Sequence, residues 1–118
     1  MDTSGLPESL RARIAERSAL PPIEKVRALL HGYVHDSDGF DEVREELRDT
    51  AQTSTFYLEQ YLTALETILA EPQPEGTYLR LVAGDGNRGL DDPSDAEAIG
   101  YLRRLLETLR TVIAEAHG

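Results

Sequence analysis

The residues best placed to do chemistry are few. His31 and His35 stand four apart, so one helix face would carry both. Two imidazoles at that spacing can ligate zinc, as they do in HExxH metalloproteases. Here the residues between them are Gly32, Tyr33 and Val34, so the glutamate that would act as general base is missing. No third ligand is marked, although Asp36 and Asp38 lie close by. Two histidines near a helix C-terminus, where the dipole favours positive charge, account for the pattern more simply.

The run GDGNRG, residues 84–89, satisfies GxGxxG by letters. It follows a helical segment rather than a strand, and Asp85 would repel a pyrophosphate. The longer run DGNRGLDDPSDAE begins like a calcium loop, with Asp85 and Asn87 at positions 1 and 3. Its glycine, Gly89, then falls at position 5 instead of 6, and Glu97 at 13 instead of 12. The bidentate carboxylate is out of register, and a capped helix start explains the run better. No GxSxG elbow or SxxK pair is present, and the chain has no cysteine. No catalytic set is left, so an enzyme is not expected, nor is a resident metal or cofactor.

What remains is charge. The chain has 22 acids against 12 bases, a net charge of −10. Nine of those ten charges fall in two short segments. The stretch 36–46 carries Asp36, Asp38, Asp41, Glu42, Glu45 and Glu46 against Arg44, a net −5. The stretch 85–97 carries Asp85, Asp91, Asp92, Asp95 and Glu97 against Arg88, a net −4. A concentrated negative field attracts a basic partner and repels phosphates. Nucleic acid and anionic membrane are therefore poor partners. Acids also gather at helix starts for local reasons, and Asp95 and Glu97 read partly that way.

The tyrosines divide. Tyr61 and Tyr101 keep phase with neighbouring leucines and read as core edges. Tyr33 and Tyr78 flank the acidic segments and read as aromatic anchors for a partner.

Helices must position all of these groups. A thin stripe, Leu10 and Ile14, marks a first helix over about 7–18. Pro21 and Pro22 break the chain, and Pro22 can start a second helix with Ile23, Val26, Leu30 and Tyr33 or Val34 at helical spacing, Leu29 widening the stripe. HDSDG makes a turn into a helix over about 39–51 carrying Phe40, Val43 and Leu47. Thr53, Ser54 and Thr55 offer an N-cap for a helix over about 55–71, which Pro72 and Pro74 end. A short helix over about 75–83 precedes the glycine loop. Ser94 and Glu97 form a capping box for the last helix, whose leucine stripe is the cleanest in the chain. No alternating run predicts a strand.

The expectation is an all-α fold: a compact single-domain bundle of five to six helices over 1–118, with 1–21 as an N-terminal extension and 22–118 as the core. At 118 residues such a domain needs no disulfide or metal staple. No secretory leader is visible, and no apolar run approaches the ~20 residues of a membrane span. The chain reads as soluble and cytoplasmic.

One resemblance gives the charge a purpose. The run LLHGYVHD, Leu29 to Asp36, resembles the opening of a family of immunity proteins from bacterial contact-dependent growth inhibition systems. In that family an apolar helix ends in a tyrosine–apolar–histidine group followed by an acid, matched here by Tyr33-Val34-His35 and Asp36. Tyr101-Leu102, downstream of Asp92-Pro93, is similar to the family's closing aromatic–leucine pair, where tryptophan is common. The chain departs from the pattern after His35, with no aromatic residue before Phe40. The similarity spans about residues 23–113. It implies a protein that binds a delivered toxin's C-terminal domain in the cytoplasm and blocks it. Many such toxins are nucleases with basic clefts, which an acidic surface would steer towards and occlude.

On this reading Asp36, Asp38, Asp41, Glu42, Glu45, Asp91, Asp92 and Asp95 pair with partner lysines or arginines, and Tyr33 and Tyr78 anchor. Two alternatives stay open. A helical regulatory or scaffold module could self-associate through the last helix's stripe, as a tight dimer burying Leu105 and Leu109, where the immunity reading expects a monomer or weak homodimer. A metal-binding protein could use His31, His35 and the acidic loops.

Overall fold

The computed structural model describes Ala12 and residues 18–118. The helix expected over about 7–18 lies outside these residues except for Ala12 and Ser18. Pro21 is extended (φ −58°, ψ 152°), and its carbonyl accepts from the amides of Glu24 and Lys25. Pro22 occupies the first turn of helix α1, Pro22–Leu29, where its missing N–H costs nothing. Val26 and Leu29 face inward. The helix then widens into a π turn, Leu30–Val34, closed by the His35 amide on the Leu30 carbonyl at 2.8 Å. Leu30 and Val34 are fully buried there, while His31 faces solvent.

Gly39, extended at φ 175°, leads into α2, Phe40–Thr53, with Val43 and Leu47 inward. Ser54 breaks that helix, and its hydroxyl accepts from the Phe56 amide. Helix α3, Phe56–Ala70, buries Leu58, Tyr61, Ala64, Leu65 and Ile68. Gly76, in the left-handed region at φ 83°, opens α4, Thr77–Leu79, which continues as a second π turn, Arg80–Asp85. A β-carbon at Gly76 would be strained by that backbone and would meet the Arg80 guanidinium.

Ser94 starts α5, Asp95–His117, its hydroxyl accepting from the Glu97 amide at 3.2 Å. The reciprocal half of the expected capping box is replaced: the Ser94 amide donates to the Asp92 carbonyl at 2.8 Å. Helix α5 is the spine. It packs on α2, α3 and α4, while α1 packs on α3 and the two π turns meet each other. Leu102, Leu105, Leu109 and Val112 are at most 1% exposed. The stripe that offered a dimer seam is thus covered within the chain by its own helices.

The result is a compact all-α bundle of five helices among the described residues. None of their helices is long and apolar enough to cross a membrane.

Candidate functional site

The first acidic segment is carried by the turn after α1 and the first turns of α2. Ser37 anchors it. Ser37 is buried, and its amide and hydroxyl both donate to the Val34 carbonyl, at 3.1 Å and 2.8 Å. That inward bond turns the flanking Asp36 and Asp38 outward, and both are exposed. Asp41 and Glu42 occupy the first turn of α2, where the helix dipole favours them. Glu45 and Glu46 follow on the exposed side.

Few of these carboxylates have work among the described residues. Asp36 accepts from His35 Nδ1 at 3.1 Å while 96% exposed. Glu42 accepts from the Asp38 amide at 3.3 Å, a local cap. The carboxylates of Asp38, Asp41, Glu45 and Glu46 have no partner among the described residues. Asp38, Asp41 and Glu42 line a shallow concavity together with Phe40 and Arg104. The Arg104 guanidinium lies 4.2 Å above the Phe40 ring, which also tilts against Tyr101 at 4.8 Å between centroids. Burial pushes the Tyr101 phenol up, with Arg88 and Arg104 pulling the other way.

The second segment is employed differently. Asp85 is only 17% exposed, accepting from His31 Nε2 at 2.8 Å and from Arg27 Nε at 3.2 Å. Asp95 accepts from the Gly76 amide at 2.7 Å and the Leu79 amide at 2.9 Å, capping the start of α4. Those two amides, Gly76 foremost, hold its carboxyl below the ordinary 3.8, against the opposing effect of burial. Asp92 accepts from the Ser94 hydroxyl at 3.0 Å. Asp91 is exposed and without a partner among the described residues.

Two expectations are corrected. Tyr78 is no exposed anchor: it is 9% exposed, and its hydroxyl donates to the Ile68 carbonyl at 2.5 Å and faces the Glu71 carbonyl at 3.3 Å. Burial, and then Asp95, push its phenol up. Asp95 points back into its own chain, so it is not free to meet a partner. Tyr33 is intermediate. It is half-buried, its hydroxyl is 2.9 Å from Thr50 Oγ1, and its ring meets Tyr61 edge-on.

His31 and His35 do share a face. Their rings stack at 5.7 Å with 25° between planes. Each holds a different aspartate, Asp85 and Asp36, and no group of three or more His, Asp or Glu side chains among the described residues is arranged to hold a metal.

Sequence reasoning overlooked Phe40 and Arg104 as members of the surface. The signal was present, since Phe40 sits inside the acidic run, but Arg104 reaches it only through the packing of α2 on α5. Comparison with family models, with curated proteins and with solved structures finds no significant match.

Proposed function

We propose that this protein is a non-enzymatic binding protein whose first acidic segment receives a basic partner, and that it serves as a cytoplasmic immunity protein against a toxin of a contact-dependent growth inhibition system. One observation carries the binding part: Asp38, Asp41 and Glu45 are exposed carboxylates with no partner among the described residues. Unpartnered like charges repel one another, and a cationic surface relieves that repulsion while displacing counterions. Asp36 and Glu42 are engaged only locally and remain open to the same partner. Asp91 and Asp92 extend the surface, and Tyr33 offers at most a ring edge. The resemblance around Tyr33-Val34-His35 supplies the partner class, a toxin's C-terminal domain, with a nuclease cleft as the basic surface.

The test uses the C-terminal domain of any large secreted effector encoded in the adjacent reading frame. Co-expression with this protein is expected to protect cells from that domain. The purified pair is expected to associate with an affinity that falls as salt is raised. The triple reversal Asp38→Lys, Asp41→Lys, Glu42→Lys abolishes both. Undiminished binding and protection by a folded triple variant would end the acidic-surface reading.

A further inference from the structure

The base of the second acidic segment is not used as a counter-charge. Arg88 is half-buried and touches no carboxylate among the described residues. Its Nη2 donates to the carbonyls of Val34 at 3.0 Å, His35 at 3.4 Å and Ser37, and its Nε to Gly86 at 3.3 Å. The first three carbonyls lie at and just past the C-terminal end of the π turn that follows α1, in the turn that displays Asp36 and Asp38. Carbonyls at a helix C-terminus carry partial negative charge, so a guanidinium is well matched to them.

The root of Arg88 is itself held. Its amide donates to the Val82 carbonyl at 3.1 Å, closing the loop on the second π turn. Asn87 adopts the left-handed conformation at φ 51°, and buried Gly86 passes so close to Val82 that a β-carbon would lie 2.8 Å from its carbonyl oxygen. The loop is therefore shaped to aim one side chain across 51 to 54 residues of sequence.

We infer that Arg88 is a positioning residue: its guanidinium clamps the 34–37 turn and thereby fixes the first acidic segment in the form a partner meets. The clamp itself is independent of any partner; its consequence for binding rests on the proposed function. Coulomb's law and the clamp predict opposite signs for the same substitution. Removing a cation beside acids strengthens attraction to a basic partner, whereas removing a clamp weakens it.

The experiment has two arms, run on the full chain. Amide hydrogen exchange compares the parent with Arg88→Ala, and with Arg88→Lys, which keeps the charge without the planar fork and serves if the alanine variant fails to fold. The amides of His35 and Ser37, which are hydrogen-bonded in that turn, are expected to exchange about tenfold faster or more in either variant, with α3 and α5 unchanged. Unchanged exchange in that turn would refute the clamp. The second arm measures affinity for the toxin domain used in the protection assay. Arg44→Gln, removing a base without a partner among the described residues, is expected to tighten binding, and Arg88→Ala to loosen it. Tightening by both would show Arg88 to be a plain charge while leaving the acidic surface intact. Indifference to Arg44→Gln and to the triple reversal would remove the acidic surface, and the exchange result would still judge the clamp.

Discussion

The two acidic segments look alike on paper and are employed differently. The stretch 85–97 directs part of its charge inward: Asp85 binds His31 and Arg27, Asp95 caps α4, and Arg88 holds the α1 turn, while Asp91, Asp92 and Glu97 stay exposed. The stretch 36–46 directs its charge outward, with Asp38, Asp41, Glu45 and Glu46 engaged by nothing among the described residues. Density of charge is thus a poor guide to availability. What separates the two is whether backbone donors and cations from other helices reach the carboxylates, and that is decided by packing. Damage to the inward groups of the second region should appear as lost stability, and damage to the outward carboxylates of the first as lost binding.

The largest expected effect is at Tyr78. Sequence proximity to the second segment made it an anchor, but burial makes it core. Tyr78→Ala should cost about 3–5 kcal/mol of unfolding free energy, the range for truncating a buried aromatic ring. Chemical denaturation checks this; a loss under 1 kcal/mol would restore Tyr78 to the surface. Gly86 comes next. Gly86→Ala forces a β-carbon against the Val82 carbonyl and should cost about 1–3 kcal/mol. Gly89→Ala, three residues on with open space around it, is expected to change little. Equal effects at the two glycines would mean that the loop is not shaped as described.

Much of this frame was legible beforehand. Pro22, the Pro72-Gln73-Pro74 stop and the Ser94 cap set helix limits by local rules, and the α5 stripe marked the core. The two π turns were not legible, because a bond from residue i to i−5 leaves no periodic signature distinct from an α-helix. Nor was the fate of individual charges. Asp95 obeys the rule for acids at a helix start, yet its oxygens serve the amides of a different helix, 16 and 19 residues away. Arg88 reads as a solitary base in an acidic loop until the fold brings the α1 carbonyls to it.

Asp95 sharpens the contrast through pH. Its carboxyl is held below 3.8 because the Gly76 and Leu79 amides favour the ionised form. A value depressed on folding stabilises the folded state above the unfolded value, and that stabilisation is lost as pH falls through the folded one. Asp95→Asn should therefore melt lower than the parent at neutral pH. The gap should hold down to about pH 5 and then close in acid as Asp95 is protonated. A gap that persists undiminished at the lowest pH would mean that the cap acts through shape and not charge.

The smallest effect is the one that decides what the first segment is for. Asp38→Asn and Glu45→Gln remove charges that nothing in the described chain uses. Each should leave the unfolding free energy within about 0.5 kcal/mol of the parent, as for ordinary surface substitutions. A slight gain is the expected sign, since each removal relieves repulsion from neighbouring acids. The same two variants should weaken association with a basic partner, and more so at low salt. If either instead destabilised the fold as much as Gly86→Ala, its carboxylate would have a structural role, and the distinction between an inward and an outward segment would collapse. A protein that keeps such charges together without using them to fold tolerates their mutual repulsion, which the proposed basic partner would relieve.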